Sequence, residues 1–325
     1  MYYLEFAGTD ADDPLALLEA TAVTTALTAV APGLATAATI APDRMPDLAF
    51  TRVCCRHIGT VAPSVEAAAS LMREVTVDRT GSVAVRAHRI RDHSLADTAA
   101  IERTVGAVLT DRGFRVDLDA PAHILRVSCG ADRWMLGWVV AAREGGYGRR
   151  QPSRRPFFSP GSIDPIEARA AVNIAIGPTP GVICDPLCGT GGFLIEAATV
   201  GASVIGGDIR PRMVAGASEN LEAVGASAPS DIYQGDATAI PLATKSVDAV
   251  VTDLPYGRQS PIGASTQRAL VTAALPELAR ITRRVVIICD RELDPPDDLL
   301  QLQSHITRRV HGSLTRHLHL FTSGR

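Results

Sequence analysis

The segment Val182-Ile-Cys-Asp-Pro-Leu-Cys-Gly-Thr-Gly-Gly192 decides the fold of the second half of the chain. It opens as an apolar run that ends in Asp185 and continues into a turn in which three of four residues are glycine. Glycine lets the backbone turn sharply and approach a ligand at the start of a helix. The segment lacks the lysine of a phosphate-binding loop and the spacing of a GxGxxG dinucleotide motif. It therefore predicts a strand, a ligand-binding turn and a helix, with a nucleoside triphosphate disfavoured as the ligand.

Two later segments also place aspartate after glycine at the end of a predicted strand: Gly206-Gly207-Asp208 and Gly235-Asp236-Ala237. A carboxylate at the first of these ends can bind a ribose diol, and a carboxylate at the second can accept a hydrogen bond from an adenine amino group. Ligands of open α/β sheets bind at the carboxyl ends of the strands, so the pattern predicts an adenosine-type ligand, and S-adenosylmethionine fits it. The residues predicted to bind this cofactor are Asp185, Cys188, Gly189, Thr190, Gly191, Asp208, Ile209, Asp236 and Ala237.

Aspartate after a strand also caps turns, which gives each of these acids a second interpretation. Asp185 and Cys188 fit a role in shaping the turn as well as they fit ligand contact. For Asp208 and Asp236, the position at the sheet edge favours ligand binding over a cap.

Strands and helices alternate regularly after residue 180, which predicts a parallel, doubly wound α/β sheet of Rossmann type. Strands are predicted over residues 181–184, 203–207, 231–234, 247–252 and 285–290, and helices from Gly192, from Pro211 and around residues 267–280. The last two segments, residues 301–311 and 314–322, predict an antiparallel hairpin that closes the sheet.

The fourth strand runs into Asp253-Leu-Pro-Tyr256, which resembles the Asp/Asn/Ser-Pro-Pro-aromatic motif of methyltransferases that act on exocyclic amines. Asp253, Pro255 and Tyr256 match this motif, and Leu254 stands where its first proline is usual. Together with the glycine-rich turn upstream, the chain looks like the tRNA guanine-N2 methyltransferases. It resembles most the archaeal enzymes that modify guanosine 10 of tRNA.

Three further stretches extend this resemblance along the chain. Arg154-Arg-Pro-Phe-Phe-Ser-Pro-Gly-Ser162 resembles the stretch that precedes the family's methyltransferase sheet, and Val310-His-Gly-Ser-Leu-Thr-Arg-His317 resembles its closing hairpin. The first half looks like a THUMP domain preceded by a ferredoxin-like segment. The resemblance implies an RNA-binding α+β domain over residues 1–145, a basic linker over 146–160 and a methyltransferase domain over 161–325. It also implies that Ser159 and Ser162 lie at the methionine end of S-adenosylmethionine.

The motif suits methylation of a weak nucleophile, because the lone pair of the guanine N2 amine is delocalised into the ring. The Asp253 carboxylate and a main-chain carbonyl of residues 254–255 would hold the amine in line, on a turn stiffened by Pro255, with Tyr256 stacked on the base. The thioether leaves as a neutral group, so positioning supplies most of the acceleration and no general acid is needed. Asp253 or water would take the proton late.

The first half of the chain has an α+β pattern. A strand is predicted over residues 2–6, a helix from about residue 14, and further strands over residues 81–89, 123–127 and 134–141. A helix over residues 94–112 begins with the capping-box-like pair Ser94 and Asp97. Arg86 and Arg89 are candidate RNA contacts. Trp134 and Trp138 are predicted to lie in the domain core.

The composition is that of a folded protein of about two domains: 325 residues, 46% hydrophobic and 21% charged. The net charge of −3 gives no global positive field that would attract a nucleic acid. Residues 147–160, however, carry Arg149, Arg150, Arg154 and Arg155 and no acid. This stretch fits an RNA-facing strip about as well as it fits a solvated linker.

The remaining signals predict what the chain lacks. Six cysteines without a CxxC pair predict reduced, buried thiols and no metal site. His311, His317 and His319 on the hairpin are predicted to face solvent or RNA. The sequence shows neither a membrane span nor a secretory signal, which predicts a cytoplasmic protein without a membrane partner.

The sequence thus predicts a tRNA guanine-N2 methyltransferase that acts at position 10, with one or two methyl transfers left open. The alternatives are another tRNA position, adenine-N6 methylation of DNA, and a non-catalytic RNA-binding protein with a vestigial cofactor pocket. The predicted partner is tRNA, and a need for a small activating subunit is left open.

Overall fold

The computed structural model describes residues 1–91, 94–254, 264–296, 298–311 and 314–324. The chain divides into two compact units, Met1–Glu144 and Gly145–Arg325. Residues 146–160, which the sequence predicts as a linker, belong to the second unit. Within the described part of the chain, no helix has the length and apolar character needed to cross a bilayer.

The first unit is a mixed sheet with helices. Its strands are β1 (Tyr2–Phe6), β2 (Thr24–Thr25), β3 (Thr28–Ala31), β4 (Leu34–Ala37), β5 (Thr39–Ile40), β6 (Thr51–Val61), β7 (Ser82–Arg89), β8 (Arg115–Val116), β9 (His123–Cys129) and β10 (Trp134–Ala142). Its helices are α1 (Asp13–Thr21), α2 (Val65–Glu74) and α3 (Thr98–Asp111). Eight strands form one sheet in the order β3-β4-β1-β6-β10-β9-β7-β8, and β2 pairs with β5. The α+β prediction for this half is therefore confirmed.

The core of the first unit lies between this sheet and helices α2 and α3. Trp134 and Trp138 are 3% and 4% exposed, which confirms that they are core residues. Helix α3 begins later than predicted, because the Asp97 carboxylate caps it by accepting from Ala100 N at 3.0 Å. Ser94 lies before the helix, where its hydroxyl accepts from Ala96 N at 3.3 Å and forms a local turn instead.

The second unit is a layered α/β fold. Its strands are β11 (Val182–Asp185), β12 (Ser203–Asp208), β13 (Ser230–Gln234), β14 (Ala249–Asp253), β15 (Arg284–Cys289), β16 (Leu300–His311) and β17 (Leu314–Ser323). Its helices are α4 (Pro165–Ile176), α5 (Gly192–Thr199), α6 (Pro211–Val224) and α7 (Ala264–Ile281).

The seven strands of this unit form one sheet in the order β13-β12-β11-β14-β15-β17-β16. The first five are parallel, and β17 runs antiparallel to both β15 and β16. The predicted doubly wound sheet with a closing hairpin is therefore confirmed. The strand order reverses between β11 and β14, and ligands of such sheets bind at this switch point, beyond the carboxyl ends of the strands.

Helix α4 is an element that the sequence patterns did not predict. Ten of its twelve residues are buried, so it has no polar stripe from which a helical period can be read. Its start does carry a local signal: the Asp164 carboxylate accepts from Ile166 N at 2.8 Å, and Pro165 occupies the first turn.

The six cysteines are free thiols in buried positions, as the sequence predicts: Cys54, Cys55, Cys129, Cys184, Cys188 and Cys289. Burial raises the pKa of Cys54, Cys129 and Cys289 to about 12, so these thiols stay protonated at neutral pH.

Candidate active site

The turn after β11 depends on two glycines in the left-handed region. Gly189 has a φ of +53° and Gly191 a φ of +79°. Gly191 N donates to Cys188 O at 2.7 Å, and Cys188 N donates to Gly207 O of β12 at 2.8 Å. A Cβ on Gly189 would meet none of the described atoms within 4 Å. Open space therefore adjoins the turn just before helix α5, as a ligand-binding turn requires.

Asp185 ends β11 and is 1% exposed. Its Oδ1 accepts from the Thr252 hydroxyl of β14 at 2.8 Å and from Leu187 N at 3.2 Å. Burial raises the pKa of Asp185 to about 7, the two hydrogen bonds oppose that shift, and the charge of Asp208 adds to it. These contacts support the turn-shaping role for Asp185, because they join the ends of β11 and β14 at the switch point.

Asp208 ends β12 and is 4% exposed. Its Oδ1 accepts from Arg210 N at 2.9 Å and from Arg210 Nε at 3.1 Å. Its Oδ2 accepts from Gly189 N and from a terminal nitrogen of Arg210, each at 3.2 Å. The next residue, Ile209, is 60% exposed. A buried carboxylate and an exposed apolar side chain thus lie side by side next to the glycine-rich turn.

Asp236 and Ala237 follow β13. Asp236 is exposed, and its Oδ1 accepts from both the backbone N and the hydroxyl of Thr238 at 2.9 Å. Gly235 N donates to Asp208 O at 3.2 Å, and this bond holds the loop against the end of β12. Asp236 therefore closes a local turn and lies at the same edge of the sheet as Asp208, while Ala237 is buried.

Asp253 ends β14 and is half-buried beside Ile288 of β15. Leu254 N donates to Ile288 O at 2.9 Å, and the Leu254 side chain is 2% exposed. A proline at this position would lack the N–H, so leucine extends the sheet by one hydrogen bond. Pro255 and Tyr256, the other two predicted catalytic residues, lie outside the described residues.

Ser159 and Ser162 lie beside the glycine-rich turn. The Ser162 hydroxyl donates to Ser159 O at 2.7 Å. Ser162 Oγ is also 3.0 Å from Thr190 Oγ1, and because the one proton of Ser162 is already used, Thr190 is the donor. The structure thus brings together Ser159, Ser162 and Thr190, and their position at the methionine end of S-adenosylmethionine stays a prediction.

Asn220 of α6 is a site residue that the sequence patterns missed. It is 1% exposed; its Oδ1 accepts from Phe157 N, and its Nδ2 donates to Phe157 O and to Thr190 O, all at 2.9 Å. The Phe157 ring lies on Gly216, where a Cβ would come within 2.0 Å of the ring. Asn220 therefore fastens the segment before Ser159 to the glycine-rich turn. The available signal was an amide on the otherwise apolar, buried face of a helix.

The arginine stretch only partly faces solvent. Arg150 forms a bidentate ion pair with Glu196 of α5, at 2.7 and 3.0 Å, and Glu196 is 0% exposed. Arg155 is buried, which lowers the pKa of its guanidinium. Glu196 thus neutralises Arg150, and burial withdraws Arg155 from the surface, so contact of these two arginines with RNA stays a prediction. Arg149 and Arg154 are exposed, as an RNA-facing strip requires.

In the first unit, Arg86 and Arg89 lie near the end of β7. Arg86 donates to Leu118 O at 2.6 Å, and Arg89 donates to Ala96 O at 2.7 Å. Both arginines brace neighbouring loops, and their contact with RNA stays a prediction.

Three histidines of the hairpin form a stack. His305 lies opposite His319 in the β16–β17 register. The centroid of the His305 ring lies 4.5 Å from that of His319 and 5.1 Å from that of His317. His319 is 0% exposed, so the prediction that it faces solvent was wrong. Burial lowers the pKa of His319 to about 4. Predicting the stack requires the hairpin register, which the sequence does not supply. The His311 side chain lies outside the described residues.

These three side chains also lie close enough to be considered as metal ligands, with one nitrogen of each within 4.8 Å of the others. Imidazole binds a metal through a lone pair in the ring plane, but neighbouring rings here are nearly parallel, at 5° and 19°. Leu293 N also donates to His319 Nε2 at 3.1 Å. The geometry fits stacked imidazoles better than it fits a metal centre.

The residues at the sheet edge fit the adenosine-type ligand that the sequence predicts. Gly189 leaves open space, Asp208 and Asp236 carry carboxylates at neighbouring strand ends, and Ile209 offers an exposed apolar side chain. The edge thus carries the acceptors that a ribose diol and an amino group need.

Comparisons with known proteins find methyltransferases. The family model UPF0020, described as an RMKL-like methyltransferase domain, matches residues 152–317. The chain is 36% identical over 229 residues to the tRNA (guanine(10)-N2)-dimethyltransferase of Methanothermobacter thermautotrophicus. The aligned region covers 68% of this chain and 67% of that protein. It is 33% identical over 226 residues to the same-named protein of Pyrococcus abyssi, with 68% of each chain covered. The crystal structure of TrmN from Thermus thermophilus shares the fold, with a TM-score of 0.53 and 21% identity over 99% of this chain and 100% of that one.

Proposed function

The chain belongs to the RMKL-like methyltransferase family, and from that premise we propose that it methylates the N2 amine of guanosine 10 in tRNA, with S-adenosylmethionine as the methyl donor. We propose two successive transfers, which give N2,N2-dimethylguanosine. The names of its relatives support the substrate. The observation that carries the proposal is the position of Asp253, which ends β14 at the switch point of the sheet.

In this proposal, Asp253 positions the amine. S-adenosylmethionine supplies an electrophilic methyl group. A carboxylate oxygen of Asp253 accepts one hydrogen of the N2 amine, and this bond orients the nitrogen for in-line attack. Leu254 N, which is bonded to Ile288 O, anchors the backbone directly after Asp253 to β15. Asp253 then takes the amine proton directly or passes it to water.

The cofactor-binding residues divide by the part of the ligand that each would hold. Asp208 accepts from the ribose hydroxyls, and Ile209 packs on the adenine. Asp236 accepts from the adenine amino group through the oxygen that Thr238 does not use. Gly189, Gly191, Thr190, Ser159 and Ser162 surround the methionine end, with Asp185 and Cys188 shaping the turn.

We further propose that residues 1–145 form a THUMP-like domain that binds the tRNA. Arg86 and Arg89 of this domain, together with the exposed Arg149 and Arg154, would contact phosphates. Binding should therefore weaken as the salt concentration rises.

The test is methyl transfer by the full chain to an unmodified tRNA transcript. Asp253→Asn keeps the shape of the side chain and removes the charge, so we expect turnover to fall at least about 100-fold. Asp231→Asn is the matched control, because Asp231 is an exposed acid on β13, and it should stay near the wild-type rate. Undiminished turnover by Asp253→Asn would contradict the catalytic assignment.

A second arm locates the modified base. A transcript with adenosine at position 10 should accept no methyl group, and mass spectrometry of the wild-type transcript should find dimethylguanosine there. Methylation at another guanosine, or of duplex DNA instead of tRNA, would contradict the proposed substrate. Full turnover by the chain alone would show that it needs no small activating subunit.

A further inference from the structure

Arg210 covers the carboxylate to which the ribose is assigned. Its Nε lies 3.1 Å from Asp208 Oδ1, and a terminal nitrogen lies 3.2 Å from Oδ2. The Asp208 side chain is 6% exposed, whereas that of Arg210 is 52% exposed. A half-exposed cation therefore sits over a buried acid at the edge of the sheet.

The acceptor capacity of Asp208 is fully used in this arrangement. A carboxylate offers about four lone-pair sites. Arg210 N and Gly189 N occupy two of them, at 2.9 and 3.2 Å, and the guanidinium fork occupies the other two. A ribose diol needs two acceptor sites.

Of the donors to Asp208, only the guanidinium can leave without disturbing the fold. Gly189 N belongs to the glycine-rich turn, and Arg210 N lies immediately before helix α6. The Arg210 side chain, in contrast, can rotate into water at little cost.

We propose that Arg210 competes with the cofactor's ribose for Asp208, and that cofactor binding displaces its guanidinium from both carboxylate oxygens. The proposal rests on the function proposed above, which assigns S-adenosylmethionine to this edge. Arg210 thereby lowers the affinity for cofactor and product alike, since S-adenosylhomocysteine carries the same ribose. Weaker product binding speeds release, which favours repeated transfers.

The first test measures S-adenosylhomocysteine binding to the full chain by calorimetry. Arg210→Met keeps an unbranched side chain and removes the fork. A partly exposed ion pair contributes up to about 1 kcal/mol, so the variant should bind about two- to fivefold more tightly. High salt screens the ion pair of the free protein, so wild-type affinity should rise with salt while that of the variant stays constant.

Arg283→Met is the matched control. It removes the same charge from an exposed arginine directly before β15, at the edge of the sheet opposite Asp208, and should change the affinity less than twofold. Weaker or unchanged binding by Arg210→Met would overturn the proposal. If the wild-type chain bound no S-adenosylhomocysteine at all, the proposed function would fail instead.

A second test isolates the diol by comparing adenosine with 2′,3′-dideoxyadenosine. Arg210→Met should tighten the binding of adenosine and leave that of the dideoxy compound unchanged. An equal gain for both ligands would show that the effect of Arg210 does not pass through Asp208.

Discussion

The buried carboxyl group of Asp185 makes the stability of the second unit depend on pH. Burial raises its pKa to about 7 in the folded protein. In the unfolded chain an aspartate has a pKa of about 3.9. The folded state therefore holds this proton more tightly, and the free energy of unfolding that it contributes is fully present below about pH 4 and lost as the pH rises through 7. A difference of about 3 pKa units, at about 1.36 kcal/mol each, gives a contribution of about 4 kcal/mol.

Asp185→Asn isolates this effect. Asparagine keeps the oxygen that accepts from Thr252 and Leu187 N and removes the buried charge. The free energy of unfolding of the variant should exceed that of the wild type by up to about 4 kcal/mol near pH 8, and the gain should vanish near pH 4. Guanidinium titrations followed by circular dichroism across this range measure it, with Asp231→Asn as the exposed control. The same pH dependence in Asp185→Asn and wild type would refute the reasoning.

Three further substitutions test packing and titration. His319 has a folded pKa of about 4, below the unfolded value of about 6.5, so it contributes about 3 kcal/mol that is present above pH 6.5 and lost toward pH 4. His319→Gln keeps an acceptor for Leu293 N and should remove this loss of unfolding free energy at acid pH. If the variant lost as much stability toward pH 4 as the wild type in the same titrations, the lowered pKa of His319 would be contradicted. Gly216→Ala places a Cβ 2.0 Å from the Phe157 ring, so the affinity for S-adenosylhomocysteine should fall at least tenfold by calorimetry, and unaltered affinity would disprove the packing. In Gly106→Ala of helix α3, the added Cβ would meet none of the described atoms within 4 Å. The variant should stabilise the first unit by about 0.5–1 kcal/mol, and a lower melting temperature would argue against this.

The fold of the second unit could be predicted because its signals are local. A buried parallel strand is an apolar run, and the glycine-rich turn and the aspartates mark the strand ends. Asp185, Asp208, Asp236 and Asp253 therefore fall where the sequence places them. The closing hairpin could be predicted for the same reason, since two long alternating segments meet at Gly312-Ser313.

The features that the sequence did not reveal depend on partners distant in the chain. The sequence predicts Arg150 as an exposed cation, but in the fold Arg150 pairs with Glu196 of α5. The role of Asn220 depends on Phe157, which lies 63 residues away. Helix α4 is buried all round, so no polar stripe marks it. In each case the missing information was tertiary contact, which local pattern cannot supply.

Asp185 and His319 oppose each other over the same pH interval, and this opposition affects what the wild-type protein shows. As the pH rises from about 4 to 7, the free energy of unfolding loses about 4 kcal/mol through Asp185 and gains about 3 kcal/mol through His319. Their hydrogen bonds go to different residues, so the two effects should add. Together these two contributions should then change the free energy of unfolding by only about 1 kcal/mol over this range. Asp185→Asn should become more stable as the pH rises and His319→Gln less stable, and two slopes of the same sign would show that at least one of the two pKa shifts has the opposite direction.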